Sequence, residues 1–371
     1  MSAPRSSPPS GAALFGLANL RDFFVELVRR EQSFILLLSV GFLLVGGTYR
    51  EAEWARWVGF LFAGYAAVAN DSIQTIGTFI ASNRDQKWWV LWLFIGGLFL
   101  LTVGYSWATL DGDVSYGRLR SKGFDTTPES FSFLQVAAPL YLLILTRLRM
   151  PVSTTFLLLT SFATSAQGVG AVLVKSLSGY VVAFAVAIAV WMLLSRVFER
   201  WFVGPAHPAW RVGQWITSGA LWSVWIQQDA ANIAVYLPRS LAPLEFAAFA
   251  GAIFVGLGLL FRSGGERIQE IVDEKSAVVD VRSATIIDLV YAVILYYFKI
   301  VSQVPMSTTW VFLGLLGGRE LAMALRRTSG RSGGEALRLM GRDALAAAIG
   351  LAVSLLVAYF VNPEFSIELG G

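Results

Sequence analysis

The chain has no cysteine and a single histidine, His207, set in a Pro-Ala-His-Pro stretch. Without thiols there is no disulfide, no thiolate metal centre and no cysteine nucleophile. A zinc site or a Ser-His-Asp triad would have to draw on His207 alone, in a linker far from the apolar runs. Charge is scarce too: Asp, Glu, Lys and Arg make up 15% of residues, against about 25% in soluble domains. No glycine-rich loop of the GxxxxGK[ST] type occurs, so ATP drive from within this chain is not expected. These absences exclude most hydrolase, redox and ATPase chemistries, and the chain is not expected to be an enzyme.

Apolar sequence is what the chain has in abundance. Of its 371 residues 56% are hydrophobic, and the mean hydropathy is +0.61. Continuous apolar runs lie at Ser33–Tyr49, Trp89–Ala108, Phe131–Thr146, Tyr180–Leu194, Phe246–Phe261, Ala284–Phe298 and Ala344–Val361. A helix needs roughly 20 such residues to cross a hydrocarbon core. Trp88, Trp89, Trp201, Trp210 and Tyr297 flank the runs as interfacial anchors do. The runs are continuous rather than alternating, so they predict spanning helices and not an outer-membrane barrel. The net charge of +4 does not point to nucleic acid, because the basic residues sit mostly between apolar runs.

An internal repeat organises the rest. Asn70-Asp71-Ser72-Ile73-Gln74 is matched by Gln228-Asp229-Ala230-Ala231-Asn232, with an amide directly before the aspartate and another three residues after it. Pro151-Val152-Ser153-Thr154-Thr155-Phe156 is matched by Pro305-Met306-Ser307-Thr308-Thr309-Trp310. The two aspartates are 158 residues apart and the two serines 154, so both motifs recur in order at nearly one offset. The expected organisation is an amino-terminal disordered and amphipathic segment (1–32), an extra transmembrane helix (33–50), a first transmembrane repeat (51–200), a linker (201–211) and a second repeat (212–371). Met1–Gly11 lacks a signal-peptide pattern, so the first apolar run is expected to be retained. Each repeat holds an aspartate segment, two ordinary spans, a Ser-Thr-Thr segment and a final span. Five or three crossings per repeat are both odd numbers, which inverts the second repeat relative to the first. The expected fold is therefore an all-α polytopic membrane protein of two inverted-topology repeats, with broken or re-entrant helices and about eleven membrane segments. The basic loop Arg319–Arg342 is expected on the cytoplasmic side. That places the amino terminus inside and the carboxyl terminus outside.

Asp71 and Asp229 fall within the apolar segments Trp57–Ala81 and Trp215–Leu237. A carboxylate at membrane depth is expensive and usually faces a cavity or a partner. The flanking amides and the nearby hydroxyls of Ser72, Thr75 and Thr78 supply neutral oxygens, a set that suits a hard cation such as sodium. The competing role is a structural hydrogen-bond network. Ser153-Thr154-Thr155 and Ser307-Thr308-Thr309 read as helix starts, with proline at the edge and serine as the cap. A helix amino end offers N–H groups and the positive end of the dipole to an anion; ordinary capping is the alternative. Lys175 reads as an interfacial lysine that snorkels, with a charge that offsets the anion's as the lesser alternative, and Asp288 and Lys299 read as markers of the two ends of one helix. Gln135 and Gln303 are weak candidates for lining a path. Leu14–Val28 is amphipathic, and Glu266–Arg282 alternates in sign as a solvated loop or surface helix does.

The Asn-Asp motif with its further amide, the following Gly77-Thr78 and the Pro-Val-Ser-Thr-Thr stretch together resemble the inorganic phosphate transporter (PiT) family. The resemblance covers both repeats, roughly Trp57 to Val361. It implies a secondary transporter of a small inorganic anion, phosphate first and sulfate next, coupled to sodium or to protons by alternating access at a midplane site. An anion or cation channel of the same fold is the alternative. By the resemblance, Asp71, Asp229, Asn70, Gln74 and Asn232 would hold sodium. Ser153, Thr154, Thr155, Ser307, Thr308, Thr309, Asn70, Gln228 and Asn232 would contact the anion. A homodimer in a bacterial inner membrane is the expected setting. The chain departs from the family pattern at Val68, Gln74, Gln227, Gln228, Phe156 and Trp310, where substrate preference is expected to differ.

Overall fold

In a membrane-like sequence the helix boundaries are set by where apolar runs stop and where proline, glycine or polar turns intervene. The computed structural model describes residues 17–121, 123–147, 153–163, 165–201, 203–262, 280–326 and 333–361. Among the described residues there are twelve α-helices. These are α1 (Leu17–Thr48), α2 (Ala52–Ala66), α3 (Ile73–Ser82), α4 (Trp88–Thr109), α5 (Phe133–Arg147), α6 (Thr154–Leu157), α7 (Ala166–Trp201), α8 (Ala209–Ala234), α9 (Pro243–Arg262), α10 (Val281–Val301), α11 (Thr308–Leu325) and α12 (Gly333–Val361). No strand occurs among them. Met1–Gly11, Pro151, Val152 and most of the charged run from Glu266 lie outside the described residues.

Five of the seven apolar runs fall within a helix, and Ser33–Tyr49 and Phe131–Thr146 overrun the ends of α1 and α5 by one and two residues. Among the described residues, five helical stretches are long and apolar enough to cross a membrane: Glu31–Thr48, Trp88–Thr109, Ala166–Leu194, Pro243–Arg262 and Val281–Val301. The 22 residues of α4 rise about 33 Å, close to the thickness of a hydrocarbon core. Helix α4 buries Ile95, Phe99 and Val103, yet it exposes Leu93, Leu101 and Tyr105 on its other side. Apolar residues on both faces mean one face meets protein and the other lipid, a pattern an aqueous surface would not sustain. The protein is thus an all-helical, polytopic membrane protein.

The order of elements repeats. An aspartate segment (α2–α3, then α8) is followed by two helices (α4 and α5, then α9 and α10), a Ser-Thr-Thr helix (α6, then α11) and a final helix (α7, then α12). The halves are interleaved rather than side by side: α4 packs on α8 and α9, α3 on α8, and α11 along α7. The α7–α11 contact depends on missing side chains. A Cβ on Gly314 would lie 2.3 Å from Tyr180 O, and one on Gly318 would lie 2.3 Å from Phe184 O. With no hydrophobic force between helices in lipid, such small-residue stripes let backbones approach and gain dispersion energy.

Polar groups buried by this packing find partners across the halves. Asn83 Nδ2 donates to Gln214 Oε1 at 2.7 Å, and Trp215 Nε1 donates to Asn83 Oδ1 at 2.9 Å. Two sequence expectations change here. Lys175 does not snorkel; it is buried and donates to Ser302 O at 2.7 Å and Val304 O at 2.5 Å. Its ammonium satisfies the carbonyls left open where α10 ends. Asp288 does not mark a helix end. It sits in the body of α10, buried, and accepts from Thr78 Oγ1 at 2.7 Å and Ser218 Oγ at 2.5 Å. Leu14–Val28 joins the first apolar run from Leu17 onward, as α1 is continuous from there to Thr48.

Candidate functional site

In the first half, the segment expected to be one apolar helix is broken around the aspartate. Helix α2 ends at Ala66, a π-helical turn covers Ala67–Asp71, and α3 resumes at Ile73. Single π turns insert an extra residue into a helix and re-aim its side chains, and they recur at functional sites. Ser72 N–H reaches back five residues to Ala67 O at 2.9 Å. Ser72 Oγ donates to Val68 O at 2.6 Å, and Thr75 Oγ1 to Ser72 O at 2.8 Å. Hydroxyls thereby take up carbonyls that the irregular turn disturbs, as they do in membrane helices. Asp71 is buried at the end of the turn and accepts a hydrogen bond from Thr154 Oγ1, the first residue of α6. Ser153 caps α6 by accepting from Phe156 N at 3.4 Å.

The second half makes the same pairing with regular geometry. Asp229 and Asn232 are three residues apart on α8 and so share a face. Asn232 Nδ2 donates to Asp229 Oδ1 at 3.0 Å. Thr308 Oγ1, the first residue of α11, donates to Asp229 Oδ2 at 3.1 Å. Ser307 caps α11, accepting from Trp310 N at 3.4 Å, and its own N–H donates to Ser176 Oγ at 2.8 Å. Trp225 Nε1 donates to Thr308 Oγ1 at 3.2 Å, while Tyr291 OH donates to Thr308 O at 2.9 Å.

Contacts between the halves join the two arrangements. Asn232 Nδ2 also donates to Thr155 Oγ1 at 3.1 Å, and Thr155 Oγ1 donates to Met306 O at 3.2 Å. The rings of Phe156 and Trp310 meet edge to face, with centroids 5.9 Å apart. Asp71 lies within electrostatic reach of Asp229. Six predicted site residues thus pair with one another, Asp71 with Thr154 in one group and Asp229, Asn232, Thr155 and Thr308 in a second, while Ser153 caps the helix that carries Thr154 and Thr155. Ser307 and Thr309 flank Thr308 and are buried with it. The side chains of Asn70 and Gln74 lie outside the described residues; their backbones belong to the π turn and the first turn of α3.

Both carboxylates are buried, and their described partners include neutral donors. The Oδ1 of Asn232 is buried with no hydrogen-bond partner among the described residues. A carboxamide oxygen left open beside a carboxylate is a ligand type for a hard cation. Among the described residues no group of three or more His, Cys, Asp or Glu gathers as a metal centre. The donor set fits a weakly held monovalent ion better than a transition metal.

Gln228 points elsewhere. Its Oε1 accepts from Arg118 Nε at 2.8 Å, and its Nε2 donates to Leu295 O at 3.2 Å. Arg118, in a 3₁₀ turn (Arg118–Arg120) of the α4–α5 connection, was not legible as a site residue. It stands among polar residues of a segment with no apolar period, and only folding brings it against α8. Asp288 with Thr78 and Ser218 was missed for the same reason. The one available signal was Thr78, already singled out as a hydroxyl near Asp71.

No protein-family model matches the chain, and no curated protein does. Among solved structures, one described as "The sodium-dependent phosphate transporter" is similar, at 16% sequence identity, with 83% of this chain and 97% of that chain covered and a TM-score of 0.53. The chain therefore shares, over most of its length, the fold of a protein described as a sodium-dependent phosphate transporter.

Proposed function

We propose that the chain is a secondary active transporter of a small inorganic anion, phosphate most of all and sulfate next, driven by sodium, with protons as the alternative coupling ion. The observation that carries the reading is the paired arrangement of Asp71 with Thr154 and Asp229 with Thr308, bridged across the halves by Asn232 and Thr155. A site made jointly by two repeated halves is remodelled whenever one half moves against the other, which is what alternating access requires. The similar solved structure, described as a sodium-dependent phosphate transporter, supports the same substrates.

In this reading Asp71, Asp229 and Asn232, with Asn70 and Gln74, bind sodium. The triplets Ser153-Thr154-Thr155 and Ser307-Thr308-Thr309, with Asn70 and Asn232, receive the anion, and Gln228, expected from the sequence to join them, is bonded instead to Arg118 and Leu295 O. Coupling follows from Coulomb's law. Two carboxylates in a low-dielectric interior repel an incoming oxyanion by several kcal/mol. Sodium bound between them removes that repulsion, so the anion binds well only after the cation. The halves are inverted, with the amino terminus inside and the carboxyl terminus outside, in a bacterial inner membrane and as a homodimer.

The test is uptake of radiolabelled phosphate and sulfate into proteoliposomes holding the full chain, with and without an inward sodium gradient. Sodium-dependent accumulation above the equilibrium level of either anion is expected. Downhill flux alone, with currents beyond carrier turnover, would make the protein a channel. No flux under sodium or proton gradients would end the reading.

A further inference from the structure

Arg118 is a buried cation that the carrier reading leaves without a task. Its side chain is fully buried. Nε is bound to Gln228 Oε1 at 2.8 Å, but Nη1 and Nη2 have no hydrogen-bond partner among the described residues. Burying a guanidinium with two open nitrogens is unfavourable by several kcal/mol unless an anion completes it.

The nearby carboxylates are committed elsewhere. Asp113 Oδ1 accepts from Ser115 N and Ser115 Oγ, both at 2.6 Å, and Oδ2 accepts from Gly117 N at 2.7 Å. These bonds shape the turn that presents Arg118, in which Gly117 adopts φ +78°, a value glycine reaches without strain. Tyr116 OH ties the same turn to Thr102 O at 2.6 Å. Asp229 is within electrostatic reach of the guanidinium, yet its oxygens accept from Thr308 and Asn232.

Positive charge gathers here. Lys175 and Lys299 both lie within the field of Arg118. Lys175 holds the carbonyls of Ser302 and Val304, just before the second triplet. Burial pulls the Arg118 pKa down to about 10, which leaves it protonated at neutral pH.

We propose that Arg118 is the fixed positive charge of the anion site: its two Nη groups bind two oxygens of the transported oxyanion, with Gln228 and the Asp113-centred turn holding the fork in place. The planar guanidinium matches two oxygens of a tetrahedral oxyanion, a geometry no single ammonium supplies. Arg118 then provides attraction, while sodium at the aspartates removes repulsion. The inference rests on the carrier reading for the identity of its ligand.

The experiment is equilibrium binding to the purified full-length chain, with radiolabelled phosphate, sulfate and sodium each measured on the same preparation. Arg118→Gln is expected to weaken both anions by roughly 30-fold or more. Arg118→Lys keeps the charge but not the fork, and is expected to weaken them roughly 10-fold. Sodium binding should be kept near wild type in Arg118→Lys and kept or tightened in Arg118→Gln, where a positive charge near Asp229 is lost, which shows that the aspartate site is folded; the loss of anion binding is then local. Wild-type anion affinity in either variant overturns the role of Arg118 while leaving the carrier reading intact. Anion binding that depends on Arg118 in a protein that moves no anion would sink the carrier reading and leave this site standing. Wild type binding neither anion overturns both.

Discussion

The two halves carry the same motifs in the same order, yet they build them differently. In the first half the aspartate sits at the end of a π turn between α2 and α3, and the Ser-Thr-Thr helix α6 is four residues long. In the second, Asp229 lies within the unbroken 26-residue α8, and α11 runs for 18 residues from its cap. The hydrogen bond from the leading threonine to the aspartate is nonetheless kept in both. What the repeat preserves is therefore the contact between motifs and not the regularity of the helices bearing them. Irregular backbone is tolerated at membrane depth only where protein or a cavity covers it, and the first half places its irregular turns against the second.

The largest expected effect concerns the carboxylates. If the two halves contribute equivalent cation ligands, Asp71→Asn and Asp229→Asn each bring sodium-dependent anion uptake to background in proteoliposomes. Wild-type uptake from either variant breaks the equivalence and removes that residue from the site.

Next is the α7–α11 seam, which the second half closes with glycine. Gly314→Leu forces a side chain into Tyr180 O and is expected to destabilise the protein by roughly 1–3 kcal/mol, read as a lower melting temperature in detergent. Gly341→Leu on α12, where an added Cβ meets nothing within 4 Å, should leave melting unchanged. Equal melting of both variants would show that the close approach contributes no stability.

The leading threonines offer a finer comparison. Thr154→Val and Thr308→Val each remove a hydroxyl donor to a carboxylate, an interaction of about 1.5–3 kcal/mol. Each is expected to shift the sodium concentration for half-maximal uptake by roughly 10-fold or more. Thr308 also accepts from Trp225, so its valine variant leaves one more buried donor open and should be the worse of the two. A larger effect at Thr154 would make the irregular half the more demanding one.

The smallest effect lies at the helix starts of α5 and α10. Helix α5 begins with a reciprocal box, Ser132 N donating to Gln135 Oε1 at 2.9 Å and Gln135 N to Ser132 Oγ at 3.2 Å. Helix α10 is capped by Asp280, whose carboxylate accepts from Arg282 N at 2.8 Å. Ser132→Ala and Asp280→Asn should each cost about 1 kcal/mol or less. Only the second should depend on pH. The Arg282 side chain, bonded to the Asp280 carboxylate, holds it below the usual carboxylate range. A depressed pKa stabilises the fold above the unfolded value of about 4, and that contribution is lost as pH falls through the lower folded value. A melting difference between wild type and Asp280→Asn that does not shrink as the pH is lowered from about 7 into the acid range would contradict this.

How much was legible can be followed residue by residue. The apolar runs and the motif repeat needed no structure, because span length and sequence identity at a fixed offset are one-dimensional properties. The link of Asp71 to the first Ser-Thr-Thr triplet was anticipated as membership of one site, though not as a direct hydrogen bond. Lys175, Asp288 and Arg118 were misread or passed over. Each is a charged residue whose partner is more than a hundred residues away, or, for Asp288, a hydroxyl on another helix, and no local period announces such a partner.

Sequence alone determined that this protein is helical and membrane-spanning and that it carries each of two motifs twice, since hydrophobic length and repeated motifs act through neighbouring residues. Only the tertiary structure decided which buried charges face one another. Burial makes an unpaired charge unfavourable by several kcal/mol, so where each one rests is settled by the partners that distant helices bring to it.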